Sequence, residues 1–348
     1  MKFGIIGTGM IANFHAKAIN AMEGATLHSV YNHHPRKAEK FAAANRCNSL
    51  ATLEAFLADP ELDIVTIATP SGTHMELTLA ALNAGKHTLC EKPLEISPER
   101  IDRLIDAARK NKVTLAAILN RRFNEAVTQL KQAVDQGRFG RITLCQASVH
   151  WFRSQEYYDS APWRGTWALD GGGALMNQAI HTVDQLIHTV GPVKRVSATM
   201  ACLAHQGIEV EDTAVALLEF ENGARGTIQA STACWSSTGH PAEIHICGDR
   251  GSAILSDTSF RVWDFHKPMD EDEYVQQNLM ATTATTGLGA NDPNAIDFTG
   301  HQKNFEHVLS AIKNGTSPST DGHEARKAVA LICAIYQSTR NDGQWISL

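Results

Sequence analysis

A glycine turn near the N-terminus constrains the fold of this chain more than any other feature. Residues 3–12 read FGIIGTGMIA, in which Gly7, Gly9 and Ala12 have the spacing G-x-G-x-x-A. The apolar run before the turn predicts a buried strand, and the pattern after it predicts a helix over 10–22. A glycine motif between a strand and a helix is typical of the first unit of a dinucleotide-binding domain.

Each small residue of this turn has a physical reason to be small. Gly7 permits the tight turn, Gly9 lets a pyrophosphate approach the backbone, and Ala12 lets the helix pack closely on the strand. The start of the helix offers free N–H groups and a partial positive charge to the phosphates. The predicted cofactor contacts in the turn are Gly7, Thr8, Gly9, Met10 and Ile11.

The residue that would read the cofactor ribose is not an acid. The motif favours a carboxylate about 20 residues after the glycines, but that position holds Asn32, in YNHHPRK. An amide can bond a ribose hydroxyl and does not repel a 2′-phosphate, which His33, His34 or Arg36 could favour. The sequence therefore predicts NAD or NADP and leaves the choice between them open.

Strand and helix patterns alternate through the first part of the chain and then change. Strands predicted over 3–6, 27–31, 63–68, 87–90 and 113–119 alternate with helices over 10–22, 35–45, 73–84 and 98–111. This rhythm predicts a doubly wound parallel sheet, an NAD(P)-binding Rossmann domain over 1–120.

The remainder, 121–348, reads as an α+β domain that binds substrate and forms the oligomer. Long strand-like runs between 142 and 265 predict a large, mostly antiparallel open sheet, interrupted by a helix over 174–190. Another helix is predicted over 125–136, and two more close the chain, near 302–314 and 324–339. The polar, glycine-containing segment 280–296 is predicted to be a mobile loop.

Composition narrows the function classes. The net charge is −6 with no basic stripe, so no nucleic-acid partner is expected. The 16 histidines have no metal-ligand spacing, and no metal is predicted. The seven cysteines are odd in number, form no CxxC, and favour reduced thiols in a cytoplasmic protein. No apolar run is long enough for a membrane span.

Two loops that follow predicted strands carry candidate chemistry, because ligands of such sheets bind at the carboxyl ends of the strands. After DIVTIA come Thr69, Pro70 and, slightly later, His74, which we expect to contact the cofactor. After HTLC come Glu91, Lys92 and Pro93, which we also expect to contact the cofactor. A lysine there could donate a hydrogen bond to a reacting oxygen or share in proton transfer.

A third motif, GGGALMNQAIH over 171–181, follows the same logic. The glycines allow a close backbone approach, and a helix begins after them. Asn177 and His181 are four residues apart and are predicted to share one helix face, which Asp184, Gln185 and His188 continue. Histidine is suited to removing a hydroxyl proton near neutral pH.

Taken together, these segments resemble the Gfo/Idh/MocA oxidoreductases over almost the whole chain. The resemblance lies in GTG at 7–9, ATPSGTH at 68–74, EKP at 91–93, and WRGTW at 163–167 followed by the GGGALMNQAIH motif. It continues through GDRGSA at 248–253 and the segment 301–335. The EKP motif combined with the downstream histidine is specific, whereas the glycine turn alone is not.

The resemblance implies a role for several of these residues. Lys92 would orient and polarise a substrate hydroxyl, His181 would be the catalytic acid/base, and Pro93 would follow a cis peptide bond. Asn177 is predicted as a third catalytic residue, but it stands where many members carry an aspartate. An amide can orient the histidine without stabilising its charged form, which weakens the case for an Asp–His pair. The residues implied to line the substrate pocket are Arg153, Tyr157, Tyr158, Trp163, Arg164 and His301.

The function predicted from the sequence is hydride transfer between a nicotinamide and a hydroxyl carbon of a sugar, polyol or sugar derivative, in a homodimer or homotetramer. Three alternatives remain open. The chain could be a non-catalytic dinucleotide-binding sensor, could act on a non-sugar substrate, or could retain its cofactor and recycle it within one site.

Overall fold

The computed structural model describes residues 1–281 and 298–348. They form two compact units: residues 1–120 with 298–326, and residues 121–281 with 327–348. The predicted division at residue 120 assigned all of 121–348 to the second domain, whereas the structure groups 298–326 with the first unit. Most of the predicted loop over 280–296 lies outside the described residues.

The elements are numbered along the chain. The strands are β1 (Lys2–Ile6), β2 (Thr26–Tyr31), β3 (Asn48–Ser49), β4 (Ile64–Ile67), β5 (His87–Cys90), β6 (Leu115–Ala117), β7 (Ile142–His150), β8 (Val193–Ala201), β9 (Thr213–Phe220), β10 (Arg225–Ser231), β11 (Glu243–Gly248), β12 (Gly251–Ser256), β13 (Ser259–Phe265) and β14 (Ile346–Ser347). The helices are α1 (Met10–Ala21), α2 (Pro35–Asn45), α3 (Leu53–Leu57), α4 (His74–Asn83), α5 (Pro98–Asn111), α6 (Glu125–Asp135), α7 (Gln155–Asp159), α8 (Ile180–Val190), α9 (Asp270–Asn278), α10 (Thr299–Asn314) and α11 (Gly322–Arg340).

The first unit is the predicted Rossmann fold. Its six strands are all parallel, in the order β3-β2-β1-β4-β5-β6. Ile5 of β1 and Ile64 of β4 are fully buried, as the continuous apolar runs of a sheet covered on both faces require. The strand predicted over 113–119 is shorter, and β3 and α3 are too short to give a periodic signal.

Helix α10 belongs to the first unit because of its apolar face. Phe305 and Val308 are fully buried in the same core as Ala16 and Ile19 of α1. The ring of Phe305 stacks on Phe3 of β1 with 6.0 Å between centroids. An amphipathic helix distant in the sequence therefore completes the Rossmann core, a tertiary choice that periodicity alone does not specify.

The second unit contains an eight-stranded sheet in the order β13-β12-β11-β7-β10-β9-β8-β14. Six of its neighbouring pairs are antiparallel and only β7 and β10 run parallel, which confirms the mostly antiparallel prediction. Helices α6 and α8 pack on one face of this sheet. On the opposite face, Leu144, Val215 and Leu217 are 55%, 43% and 52% exposed.

The helix predicted over 174–190 is not one continuous α-helix. It begins as a π-helical turn, Ala174–Ala179, and becomes α-helical only at α8. The polar face predicted for α8 is also wrong as a distinct face, because Asp184 and Gln185 are as buried as Val183 and Leu186 on the apolar side. Asp184 is accommodated because Arg122 pairs with it through two nitrogens, at 2.8 and 2.6 Å.

None of the helices in the described part of the chain combines the length and the apolar character needed to span a membrane.

Candidate functional site

In the first unit, the glycine turn has the geometry that its sequence predicts. Gly7 has a φ of +110°, and a Cβ there would lie 2.3 Å from the carbonyl oxygen of Ala68. Gly9 stands at the N-terminus of α1, and a Cβ built on it would meet nothing within 4 Å. Ala12 is fully buried. The turn therefore leaves open space at the helix N-terminus, which fits a dinucleotide pyrophosphate.

Asn32 lies beside this turn, at the end of β2. Its amide nitrogen donates to the Thr8 hydroxyl at 2.9 Å, and its amide oxygen accepts from the His34 backbone N–H at 2.8 Å. The rings of His33 and His34 contact each other at a tilt of 44°, with centroids 3.9 Å apart. Asn32 therefore connects the glycine turn to the segment that precedes α2, where a ribose would be read.

The two loops after β4 and β5 lie at the same edge of the sheet. Ile6, Ile67 and Cys90 are aligned across β1, β4 and β5, so the residues that follow them emerge side by side. The peptide bond between Lys92 and Pro93 is cis, as the family resemblance implies. The residues predicted to contact cofactor in these loops are thus brought together within the first unit.

His74 links the same two loops through its ring nitrogens. It is buried, and its ring nitrogens lie 2.8 Å from the Pro93 carbonyl oxygen and 2.9 Å from the Thr69 carbonyl oxygen. Burial lowers the pKa of His74, against the effect of both carbonyl oxygens. His74 is thus a buried cross-link between the loops.

Glu91 is the centre of a second buried cluster in this unit. Its Oε1 lies 2.9 Å from His15 Nε2 and 3.5 Å from His301 Nε2. Its Oε2 accepts the backbone N–H of Lys92 at 3.1 Å. Burial opposes ionisation of this carboxyl, but the hydrogen bonds from His15 and His301 prevail and hold its pKa well below the usual range.

The same three side chains could in geometric terms hold a metal ion, since their ligand atoms all lie within 4.8 Å of one another. A more exposed group of His28, Asp59 and Glu61 meets the same criterion. The absence of a metal therefore stays a prediction.

In the second unit, Glu211 explains the glycine trio. Its carboxylate accepts the backbone N–H groups of Gly173 and Leu175, each at 2.9 Å, and the Tyr336 hydroxyl at 3.1 Å. A Cβ on Gly173 would lie 1.8 Å from the Glu211 carbonyl oxygen, and one on Gly172 would lie 2.1 Å from the Tyr336 hydroxyl oxygen. Glycine is needed here because the protein's own groups approach the backbone closely.

Asn177 sits in the π-helical turn, in a hydrogen-bonded chain of polar side chains. Its amide nitrogen donates to the carboxylate of Asp170, and its amide oxygen accepts from Gln178 at 2.8 Å. Gln178 also donates to the Tyr157 hydroxyl at 3.1 Å and accepts from Arg153 at 2.8 Å. A buried carboxylate is therefore present next to Asn177, although it comes from Asp170.

Arginines and aromatic rings surround this chain of polar groups. The guanidinium carbon of Arg164 lies 4.1 Å from the ring centroid of Tyr157 and 4.5 Å from that of Trp163. Arg153 lies 5.5 Å from the Tyr157 ring and is buried, and burial lowers its pKa. Four of the residues predicted to bind substrate are thus brought together within the second unit.

Other predicted residues have different surroundings. Tyr158 is buried and shares a hydrogen bond of 2.8 Å with Thr232. His301, in the first unit, is buried, with Nδ1 3.3 Å from the Asn120 amide nitrogen and Nε2 towards Glu91. His181 is partly exposed in the first turn of α8.

The residues of these networks that were not identified from the sequence include His15, Asp170 and Glu211. His15 occupies a buried position of α1 between Ala12 and Ala16, where a polar residue in an apolar stripe is a detectable signal. Asp170 precedes the glycine trio directly. Glu211 has no local signal, because its partners lie 36 to 125 residues away in the sequence.

Two family models match the chain. One, described as an oxidoreductase family with an NAD-binding Rossmann fold, matches residues 1–118. The other, described as the GFO/IDH/MocA C-terminal domain, matches residues 127–254.

Relatives of known name match over the full length. Inositol 2-dehydrogenase of Rhizobium meliloti is 26% identical, covering 99% of this chain and 98% of the relative. The WlbA dehydrogenase of Bordetella pertussis, solved with NADH and UDP-GlcNAcA, is 34% identical with a TM-score of 0.87, covering 100% of this chain and 98% of that one. The WlbA dehydrogenase of Chromobacterium violaceum, solved with the same two ligands, is 33% identical with a TM-score of 0.88, covering 100% and 96%.

Proposed function

Since the chain belongs to the Gfo/Idh/MocA family and is an NAD(P)-dependent oxidoreductase acting on a hydroxyl carbon of a sugar-like substrate, we propose that this substrate is a sugar nucleotide whose sugar carries a carboxylate. The observation that carries the proposal is the full-length likeness to two WlbA dehydrogenases solved with UDP-GlcNAcA. UDP-GlcNAcA itself is the first compound to test.

The charge of the polar cluster in the second unit supports an anionic substrate. Arg153 and Arg164 flank Tyr157, and Trp163 adds a second ring beside Arg164. Guanidinium groups bind carboxylates and phosphates through paired hydrogen bonds, and aromatic rings stack on sugar faces and bases.

The proposed reaction is oxidation of a secondary alcohol to a ketone. Bound NAD supplies the hydride acceptor. Lys92 donates a hydrogen bond to the substrate oxygen and stabilises the negative charge that develops on it. His181 accepts the hydroxyl proton, for which a neutral imidazole is suited near pH 7. In the reverse direction His181 returns the proton.

The proposed role of Asn177 is to orient the substrate from the π-helical turn. Its amide nitrogen is held by Asp170, and its oxygen is held by Gln178. Gln178 also forms hydrogen bonds with Arg153 and Tyr157, which belong to the same network. A fixed amide in this hydrogen-bonded chain favours one substrate orientation.

NAD is the proposed cofactor in preference to NADP. The amide nitrogen of Asn32 donates to Thr8 of the glycine turn, and its amide oxygen accepts from the His34 backbone N–H. These two bonds present the amide to the ribose in a fixed orientation. NADH is also the cofactor bound in both similar WlbA structures. We therefore expect a higher kcat/KM for NAD than for NADP with the same sugar substrate.

We further propose that the enzyme is a cytoplasmic homo-oligomer in which a second copy covers the open face of the sheet in the second unit. Leu144, Val215 and Leu217 are exposed apolar side chains on that face. Leu144 is in register with Arg225, and the same row continues through Glu219 to Arg195, so its charges alternate in sign and can complement themselves in a two-fold pair. All seven cysteines are free thiols, in keeping with a reducing compartment.

A substrate panel tests the proposal. Initial rates of NADH formation are compared for UDP-GlcNAcA, for UDP-GlcNAc, which lacks the carboxylate, and for myo-inositol. We expect the highest kcat/KM with UDP-GlcNAcA, and a loss of at least about tenfold with UDP-GlcNAc because the arginine partner is missing. A clear preference for myo-inositol would contradict the sugar-nucleotide proposal. NADH binding without turnover on any compound would favour the sensor.

A further inference from the structure

The cluster of His15, Glu91 and His301 takes no chemical step in the proposed reaction. Each side chain is buried, with relative exposures of 0%, 6% and 4%. Two imidazoles face one carboxylate oxygen, and the other carboxylate oxygen accepts the Lys92 backbone N–H. The cluster thus lies one peptide away from the proposed catalytic lysine.

Each of the two histidine rings has Glu91 on its Nε2 side and another polar partner on its Nδ1 side, and these partners indicate which ring nitrogen carries a hydrogen. The Asn120 amide nitrogen, which can only donate, lies 3.3 Å from His301 Nδ1. The Thr66 hydroxyl lies 3.0 Å from His15 Nδ1 and can donate to it. The Glu91 carboxylate oxygen can only accept, so the Nε2 that faces it on each ring carries a hydrogen, and His15 Nδ1 can accept from the Thr66 hydroxyl.

Glu91 is an acceptor on both sides as a result. One oxygen receives N–H groups from two imidazoles, and the other receives the Lys92 N–H. Only a carboxylate satisfies this arrangement, because an amide would turn its NH2 group towards another donor on one side or the other. A buried carboxylate with donors on both oxygens is held in a single orientation.

We propose that His15 and His301 are positioning residues for the reaction, which act by fixing the Glu91 carboxylate and, through its bond to the Lys92 backbone, the lysine itself. This inference rests on the proposed function, since it assumes that Lys92 acts on the substrate. The histidines touch neither substrate nor cofactor in this account. The substrate-binding role that the sequence implied for His301 is replaced by an indirect one.

Glu91→Gln tests the proposal, with Glu95→Gln as the matched control. Glu95 is a second fully buried carboxylate of the same unit, and Arg100 pairs with it at 2.9 Å. We expect Glu91→Gln to lower kcat roughly tenfold or more while KM for the sugar and Kd for NADH change by less than about threefold. Glu95→Gln should lower the melting temperature with kcat retained.

Substitutions of His15 separate positioning from packing. His15→Gln keeps an N–H donor at the Nε2 position, whereas His15→Leu keeps the volume and loses the donor. We expect His15→Leu to reproduce the kcat loss of Glu91→Gln and His15→Gln to restore most of it. Equal kcat in the two His15 variants, or equal kcat loss in Glu91→Gln and Glu95→Gln, would overturn the proposal.

A measurement that needs no turnover keeps this inference distinct from the proposed function. Nitrogen-15 NMR of the histidine side chains should show a proton on Nε2 of both His15 and His301. A ring without a proton on Nε2, or one equivalent of zinc in the purified protein, would overturn the network, because a metal would replace the Nε2 protons. If these signals are as expected and no sugar is oxidised, the proposed function fails while the hydrogen-bonded network stands.

Discussion

The amide nitrogen of Asn177 donates a hydrogen bond to the carboxylate of Asp170, seven residues earlier in the chain. The other oxygen of Asp170 accepts the Gly165 backbone N–H at 2.9 Å. A buried carboxylate thus stands beside position 177, where the family resemblance implies that many members carry an aspartate. The carboxylate that is missing at position 177 is therefore supplied by Asp170.

This pairing predicts the effect of restoring the common residue. Asn177→Asp places two carboxylates against each other, so one of them must take up a proton or move. We expect kcat to fall roughly tenfold, with little change in Kd for NADH. The double variant Asp170→Asn/Asn177→Asp exchanges donor and acceptor and should recover most of the activity. An active single variant with no recovery in the double variant would contradict the pairing.

The two glycines of the N-terminal turn should behave differently when replaced. In Gly7→Ala, the new methyl group meets the Ala68 carbonyl oxygen at 2.3 Å and φ is +110°, so we expect the free energy of unfolding to fall by about 2 kcal/mol or more. In Gly9→Ala the methyl group enters open space, so stability should be retained while Kd for NADH rises roughly tenfold. Urea unfolding and NADH fluorescence titration measure the two effects. A Gly9→Ala variant that still binds NADH normally would contradict the assignment.

The burial of Glu211 predicts a pH dependence of stability. Burial raises its pKa to about 7, against the lowering effect of the Leu175 and Gly173 N–H groups. In the unfolded chain the pKa is about 4.3, so the folded state binds the extra proton between these values. The stabilising contribution is complete below about pH 4 and is lost as pH rises through about 7, for a total of about 4 kcal/mol.

Urea unfolding from pH 5 to 8 checks this expectation against Glu211→Gln, which cannot titrate. The difference in free energy of unfolding between the two proteins should change steadily with pH and level off above about pH 8. A difference that is the same at every pH would show that Glu211 is ionised throughout.

Covering of the open sheet face predicts a change in mass. Leu217→Glu places a charge on the exposed face of the sheet, so we expect the oligomer to dissociate while circular dichroism is unchanged. Leu203→Glu is the control, because Leu203 is 71% exposed but follows the end of β8 and lies outside the sheet. Light scattering after gel filtration measures both. An unchanged mass in Leu217→Glu would place the subunit contact elsewhere.

The sequence predicted the elements whose signals are local. The spacing from Gly7 to Ala12, the apolar runs of β1 and β4, and the helix breaks at glycines all depend on a few neighbouring residues. Short elements such as β3 and α3 gave no such signal, because two to five residues cannot establish a period.

Long-range partners could not be predicted in the same way. Nothing near residue 211 indicates that its carboxylate receives Gly173 and Leu175, and nothing near residue 305 indicates that α10 completes the core of β1 and α1. From the sequence alone, Asp184 and Gln185 of α8 resemble a solvated polar face. The structure shows that they are buried and that Arg122 pairs with Asp184. In each case the deciding interaction joins segments distant in the chain.

The rate of NADH formation from UDP-GlcNAcA by the wild-type protein and by Lys92→Ala and His181→Ala tests the proposed reaction most directly. We predict substrate-dependent NADH formation by the wild type and a loss of at least about a hundredfold in kcat for each variant, with NADH still bound. Full turnover in either variant would contradict the roles assigned to these two residues, and the central claim would then fail.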